Sequence, residues 1–195
     1  MTAGRPAVFL DRDGTINEEV DFVRTPDQLA LIPGAGSAIH TLNQSGFLTV
    51  VVSNQSGVAR GFLTEEDLTA IHARLADELA RQDAHLDRIY YCPHHPTEGI
   101  APYRSVCECR KPATGMLRAG EQDLGIDLSR SYIVGDRLGD VLVGQAVGAT
   151  SILVLTGYGR TALDEASREH VTPDFVVPSI AEAVRIIVGT NGDHV

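Results

Sequence analysis

Two carboxylates one residue apart, Asp11 and Asp13, follow a short apolar run in Val8-Phe9-Leu10-Asp11-Arg12-Asp13-Gly14-Thr15. Apolar residues that give way at once to Asp, Gly and Thr read as a buried strand ending in a polar loop. In an open parallel sheet, ligands bind at the carboxyl ends of strands, so the position points to chemistry before the residue types do. An acidic turn would use the same residues. Three further stretches weigh against that plain reading. Ser53-Asn54-Gln55-Ser56-Gly57 ends a second apolar run, 47–52, and offers a hydroxyl and backbone N–H groups that can hold a phosphoryl oxygen. Gly135-Asp136-Arg137-Leu138-Gly139-Asp140 ends a run at 132–134, and carboxylates converging from there on Asp11 would form a hard oxygen site suited to Mg2+. Arg110-Lys111-Pro112 reads as a helix opening, because proline suits the first helical turn, and it adds two cations to this acidic edge. Without them a dianionic substrate would meet only negative charge and one metal ion.

All three cysteines, Cys92, Cys107 and Cys109, fall within eighteen residues. Cys92-Pro93-His94 and Cys107-Glu108-Cys109 present three thiols and an imidazole as two tight pairs across a twelve-residue loop. Such ligands at close spacing favour a closed tetrahedral Zn2+ site of structural type. His94 is preferred over the competing His95 because Cys-x-His then mirrors Cys-x-Cys. An odd number of cysteines with no secretion signal argues against a disulfide framework.

The elements that must carry these residues alternate. Strand-like runs lie at 7–10, 47–52, 88–91, 132–134, 151–155 and 175–177. Helices are expected from Pro33-Gly34 to Ser45, where Gly46 stops the first, and near 113–124, 138–147 and 179–188. Another follows Thr64 as N-cap, with Asp67 in the capping-box place and Leu68, Ile71, Leu75 and Leu79 on one apolar face. This alternation implies an α/β fold, a Rossmann-like three-layer sandwich with a central parallel sheet. Residues 14–31 and 92–111 break the alternation, and loops of that length are usually functional. Gly34-Ala35-Gly36 lacks the third glycine of a dinucleotide fingerprint and reads as a helix start. His40, His72, His85, His170 and His194 are scattered and receive no role. The tail after Gly189 is expected to fray.

A chain of 195 residues with 43% hydrophobic content suffices for one domain, 1–195, with a zinc loop at 92–110. Sixteen basic against 26 acidic residues give a net charge of −10, which argues against nucleic acid as a partner. No apolar run approaches the roughly 20 residues that span a bilayer, and Met1 to Pro6 leaves no room for a signal peptide. The expectation is a cytoplasmic monomer with no membrane partner.

In their order and their placement at element ends, these motifs resemble the haloacid dehalogenase superfamily of phosphoaspartate-forming phosphatases over nearly the whole chain. The resemblance implies adjacent first and fourth strands and no large cap domain. It implies that Asp11 is the nucleophile and Asp13 the general acid and base, with Ser53 and Lys111 stabilising the phosphoryl group. Mg2+ would be held by Asp11, the Asp13 carbonyl and Asp136, with Asp140 behind them orienting Lys111 or metal-bound water. The segment Ser53–Gly61, the run Tyr91-Cys92-Pro93-His94-His95-Pro96 and the longer cysteine loop are similar to the heptose-bisphosphate phosphatase branch. Its close relatives, the histidinol-phosphate phosphatases, are the alternative. By that resemblance Glu19, Val20, Asp21 and Phe22 contact the sugar and Arg110 and Arg137 the part that is not cleaved. Arg12, Asn54, Gln55 and Ser56 complete the implied substrate contacts. The branch implies a sugar-bisphosphate substrate cut at its 7-phosphate, in ADP- or GDP-heptose precursor synthesis. It commonly has Lys where this chain has Arg137. A phosphoacceptor signalling module, which also uses a strand-end Asp and Mg2+, is the non-enzymatic alternative.

Overall fold

The computed structural model describes residues 4–191. Six strands, β1 (Ala7–Leu10), β2 (Leu48–Asn54), β3 (Arg88–Cys92), β4 (Tyr132–Gly135), β5 (Thr150–Val154) and β6 (Phe175–Val177), form one parallel sheet in the order β3-β2-β1-β4-β5-β6. Six helices accompany them: α1 (Ala35–Gln44), α2 (Glu65–Ala80), α3 (Gly115–Leu124), α4 (Leu138–Val147), α5 (Gly159–Arg168) and α6 (Ile180–Asn191).

Side chains alternate across a strand, and β1 shows what each face receives. Val8 and Leu10 join Val51, Val134, Ile152 and Val177 beneath α1, α2 and α6. Ala7 and Phe9 join Val50, Val52 and Ile133 beneath Met116 and Leu117 of α3 and Val143 of α4, and Leu153 packs on Ala162 and Ala166 of α5. Both faces are covered, so the strands are nearly continuous apolar runs.

The helix α2 forms where its capping signal and apolar face place it: Thr64 accepts from the Asp67 N–H, Asp67 returns the bond, and Leu68, Ile71, Leu75 and Leu79 are buried. Three expectations need correction. Pro112 does not open a helix; α3 begins at Gly115 after Thr114, and Arg110 to Ala113 forms a turn closed by the Ala113 N–H on Arg110 O at 2.8 Å. The helix α5 has no counterpart in the sequence reading, because it buries only Gly159, Ala162 and Ala166 and shows no stripe of large apolar residues. Fraying is expected after Gly189, but α6 continues through Asn191; the tail beyond that lies outside the described residues.

The chain runs outward from β1 to β3, then returns to lay β4 on the other side of β1. Leu10 pairs with Val134, so the loops after β1 and β4 leave the sheet side by side at this switch point.

Candidate active site

Asp11 is the first residue beyond β1, and its N–H is bonded to Val134 O at 2.9 Å. Asp136 follows β4 with no exposed surface, and Asp140 lies in the first turn of α4. Carboxylate oxygens of Asp11, Asp136 and Asp140 all lie within 4.8 Å of one another. Asp136 Oδ2 accepts the Tyr158 N–H at 2.7 Å, while its Oδ1 is buried with no hydrogen-bond partner among the described residues. Burial, and then the charge of Asp11, push Asp136 up to about 8. Burial raises Asp140 to about 6, against the pull of Lys111. Crowded, desolvated carboxylates with an orphaned oxygen suit a small hard cation. Two glycines pack against this carboxylate: a Cβ on Gly14, at φ +78°, or on Gly157, at φ +53°, would run into Asp136 Oδ2.

Lys111 is buried against these acids. Its Nζ donates to Asp140 Oδ1 at 2.5 Å and Val52 O at 2.6 Å, and pairs with Asp11 Oδ1 at 3.1 Å. Burial alone would lower its pKa, but the charges of Asp11 and Asp140 outweigh that and raise it. Asp140 Oδ2 also accepts the Arg137 N–H at 3.0 Å, so it fixes both the lysine and the start of α4. The Asn54 amide accepts from Lys111 N at 3.0 Å and donates to Lys111 O at 3.1 Å. Its side-chain amide thus fixes the lysine backbone at the edge of the cleft that Asn54 also lines. Ser53 Oγ, at the end of β2, accepts from Gln55 Nε2 at 2.9 Å.

Asp13 is held by three neighbours. Arg12 Nη2 reaches Oδ1 at 2.9 Å and Oδ2 at 2.8 Å, Asn17 Nδ2 donates to Oδ1 at 2.9 Å, and Gln55 Nε2 to Oδ2 at 2.9 Å. Burial pushes the carboxyl up, but the Arg12 charge and these hydrogen bonds outweigh it and hold the group below its usual range. Arg12 itself has no exposed surface. Its guanidinium also meets Gln55 Oε1 at 3.2 Å and His72 Nε2 at 3.3 Å. Arg12, expected among the substrate contacts, faces Asp13 and is not among the residues lining the open site. Gln55 bonds Asp13, Ser53 and Arg12 and also lines the cleft.

Asp11, Asp13, Ser53, Asn54, Gln55, Lys111 and Asp140 line a cleft of about 530 Å³ together with Glu19, Asp21, Phe22, Ser56, Arg60, Arg110 and Arg137. Val20 is 47% exposed and borders a neighbouring depression with Glu19, Asp21 and Tyr158. The Arg137 guanidinium lies 3.5 Å over the Tyr158 ring centroid and 3.8 Å from Glu19, and the Tyr158 hydroxyl donates to Asp21 at 2.9 Å. Burial, then the charge of Asp13, raise Glu19. Arg110 donates to His94 O at 3.2 Å.

The cysteine loop brings its four proposed ligands together. Cys92 Sγ is 3.5 Å from Cys107 Sγ and 2.9 Å from Cys109 Sγ, and His94 Nδ1 is 3.7 Å from Cys92 and 3.4 Å from Cys109. Zn–S bonds of about 2.3 Å place tetrahedral ligand atoms about 3.8 Å apart, so the cluster fits the ion. No disulfide joins these thiols. His95 turns away, its Nδ1 accepting the Glu98 N–H at 2.9 Å. Glu65, in the first turn of α2, accepts from both Tyr91 and Tyr103 hydroxyls at 2.6 Å and ties the loop to that helix.

Sequence reasoning missed Tyr158 and His72. Tyr158 had a signal in Thr156-Gly157 after a strand, the same small-residue strand end seen at Asp11 and Asp136. His72 had one in its spacing, four residues from Leu68 and three from Leu75, which puts an imidazole beside the apolar stripe.

A HAD-hydrolase-like family model matches residues 108–183. The D-glycero-beta-D-manno-heptose-1,7-bisphosphate 7-phosphatase of Yersinia pestis is 41% identical over 188 residues, 96% of this chain and 97% of that protein. Its namesake in Escherichia coli strain K12 is 42% identical over 188 residues, 96% of each chain. The crystal structure of D,D-heptose 1,7-bisphosphate phosphatase from B. bronchiseptica, complexed with magnesium and phosphate, superposes with a TM-score of 0.84. It is 33% identical and covers 95% of this chain and 99% of that one.

Proposed function

This chain belongs to the heptose-1,7-bisphosphate 7-phosphatase family of haloacid dehalogenase-like hydrolases, and from that premise we propose that it removes the 7-phosphate of D-glycero-D-manno-heptose 1,7-bisphosphate. The observation that supports this most is the pairing of Asp11 with buried Lys111 in a cleft that also carries Arg110 and Arg137. One anionic group can be cut while cations meet a second. Histidinol phosphate offers an ammonium in that place, which two arginines disfavour.

Asp11 attacks phosphorus in line and becomes an aspartyl phosphate. Lys111, a fixed cation, and Ser53 hold the equatorial oxygens as charge develops on them. Asp13 protonates the departing sugar oxygen and then takes a proton from the water that cleaves the intermediate. The Arg12 charge and the Asn17 and Gln55 hydrogen bonds favour ionised Asp13, the form needed for the second task; a bound phosphate dianion raises its pKa by like-charge repulsion and favours the first. Asp11, Asp136 and the Asp13 carbonyl would hold Mg2+, which screens the repulsion between carboxylate and phosphate. Asp140 serves them by fixing Lys111. Cys92, His94, Cys107 and Cys109 would hold a structural Zn2+ that stiffens the segment leading to Arg110 and Lys111. Glu19, Val20, Asp21, Phe22 and Ser56 form the sugar-facing wall. The whole chain is read as one phosphatase domain, acting as a cytoplasmic monomer.

Phosphate release with Mg2+ is to be compared for the α and β anomers of heptose 1,7-bisphosphate, fructose 1,6-bisphosphate and histidinol phosphate. The highest kcat/KM is expected with a heptose bisphosphate, the β anomer foremost given the names of the relatives. A preference for histidinol phosphate would overturn the assignment, and a stoichiometric phosphoprotein without turnover would favour the signalling module.

A further inference from the structure

The Arg12 guanidinium has no exposed surface, and among the described residues Asp13 is the one carboxylate it pairs with. A guanidinium gripped along one edge still needs partners for its remaining N–H groups, since a buried unpaired donor is costly. Those partners are Gln55 Oε1 and, at Nη1, the Nε2 of His72, 3.3 Å away. Arg only donates, so the His72 nitrogen turned toward it carries a lone pair and the ring proton sits on Nδ1. Burial, then the Arg12 charge, push this imidazole down to about 4, which keeps it a neutral acceptor. His72 is held in turn by α2 and by the Tyr91 ring, 5.7 Å between centroids. It lies outside the residues lining the cleft, and the mechanism above does not use it.

We propose that His72 is a positioning residue for proton transfer: by accepting from Arg12 it fixes the guanidinium plane that aims Asp13 at the departing oxygen of the substrate. This rests on the reading of Asp13 as proton donor. In that step the bond between phosphorus and the sugar oxygen breaks as the bond to Asp11 forms. The Asp13 proton moves to the sugar oxygen, leaving the Asp13 carboxylate paired with Arg12. His72 therefore acts on leaving-group protonation and not on phosphate binding.

The test compares two substrates by kcat/KM, which covers the steps up to departure of the leaving group. A sugar alkoxide needs a proton to depart, whereas 4-nitrophenolate leaves without one. A positioned general acid contributes roughly 10²- to 10⁴-fold, so loosening it in His72→Leu is expected to lower kcat/KM for the heptose bisphosphate by about tenfold or more. The value for 4-nitrophenyl phosphate should stay within about twofold, and His72→Gln, which restores an acceptor, should recover most of the loss. Equal losses on both substrates, no loss on either, or failure of the Gln variant to recover would overturn the proposal. Retained activity on 4-nitrophenyl phosphate reports a folded site; should the Leu variant not fold, His72→Asn, too short to reach Arg12, is read by the same criteria. Asp13→Asn is the control: it must lose more activity on the heptose bisphosphate than on 4-nitrophenyl phosphate. If it does not, the role given to Asp13 fails; if it does and His72→Leu does not, only the positioning role of His72 fails.

Discussion

Asp11 and Asp13 are one residue apart and meet opposite surroundings. Asp11 pairs with a lysine and faces two further acids, whereas Asp13 is turned into an arginine and two amides. Separate environments are what allow like carboxylates separate tasks. Replacing Asp11 by Asn keeps the shape and removes the nucleophile, so phosphate release should fall below detection and no acid-stable phosphoenzyme should be trapped; appreciable residual turnover would refute the covalent route. His72 gives a prediction about pH. Its folded pKa of about 4 lies below the ordinary value of 6.5, so between those limits the unfolded chain binds more protons. Stability from this residue is complete above pH 6.5 and is lost as the pH falls toward 4. Denaturant midpoints at pH 7 and pH 5 should differ less in His72→Gln than in the parent. The letters of the chain located Asp11, Asp13, Ser53, Lys111 and Asp136, because each sits where an apolar run stops or beside paired cations. They could not reveal that Arg12 turns inward, since the spacing Asp-Arg-Asp fits an inward or an outward guanidinium equally.

At the level of elements, the cysteine loop has few large buried side chains, and Ile100 and Val106 point largely into solvent. Its order comes from the four-ligand cluster and from the Glu65 fork to Tyr91 and Tyr103. Structural zinc contributes on the order of 10 kcal/mol to such a site. Stripping it with a chelator should lower both the melting temperature and kcat while the requirement for Mg2+ persists; full activity in zinc-free protein would show that the loop orders Arg110 and Lys111 unaided. The strands and most helices were legible because their apolar periods are strong. The helix α5 was not, because alanine and glycine are what its tight packing on β5 and α4 demands, and small residues leave no stripe. The start of α3 was misread because proline after Lys111 serves a turn as readily as a helix.

Across the whole molecule, the order β3-β2-β1-β4-β5-β6 sets two strand ends against each other and so crowds carboxylates that would otherwise stay in water. Such crowding weakens the metal-free fold. Asp136→Asn relieves it, since the amide can still accept from Tyr158 and can donate toward Asp11, and should stabilise the metal-free protein by roughly 0.5–2 kcal/mol. The same change should abolish both the activity and the rise in melting temperature that Mg2+ gives the parent; a parent protein whose melting is indifferent to Mg2+ would contradict the site. The strand order has a further consequence, for the chain as it is synthesised. β1 gains one neighbour, β2, within about fifty residues, but its other edge stays open until β4 arrives more than 120 residues later. Closing so long a segment is slow relative to local pairing. The nascent chain therefore carries Asp11, the proposed nucleophile, long before Asp136 can join it in the proposed metal site, and the site is assembled with the last part of the sheet's centre to close.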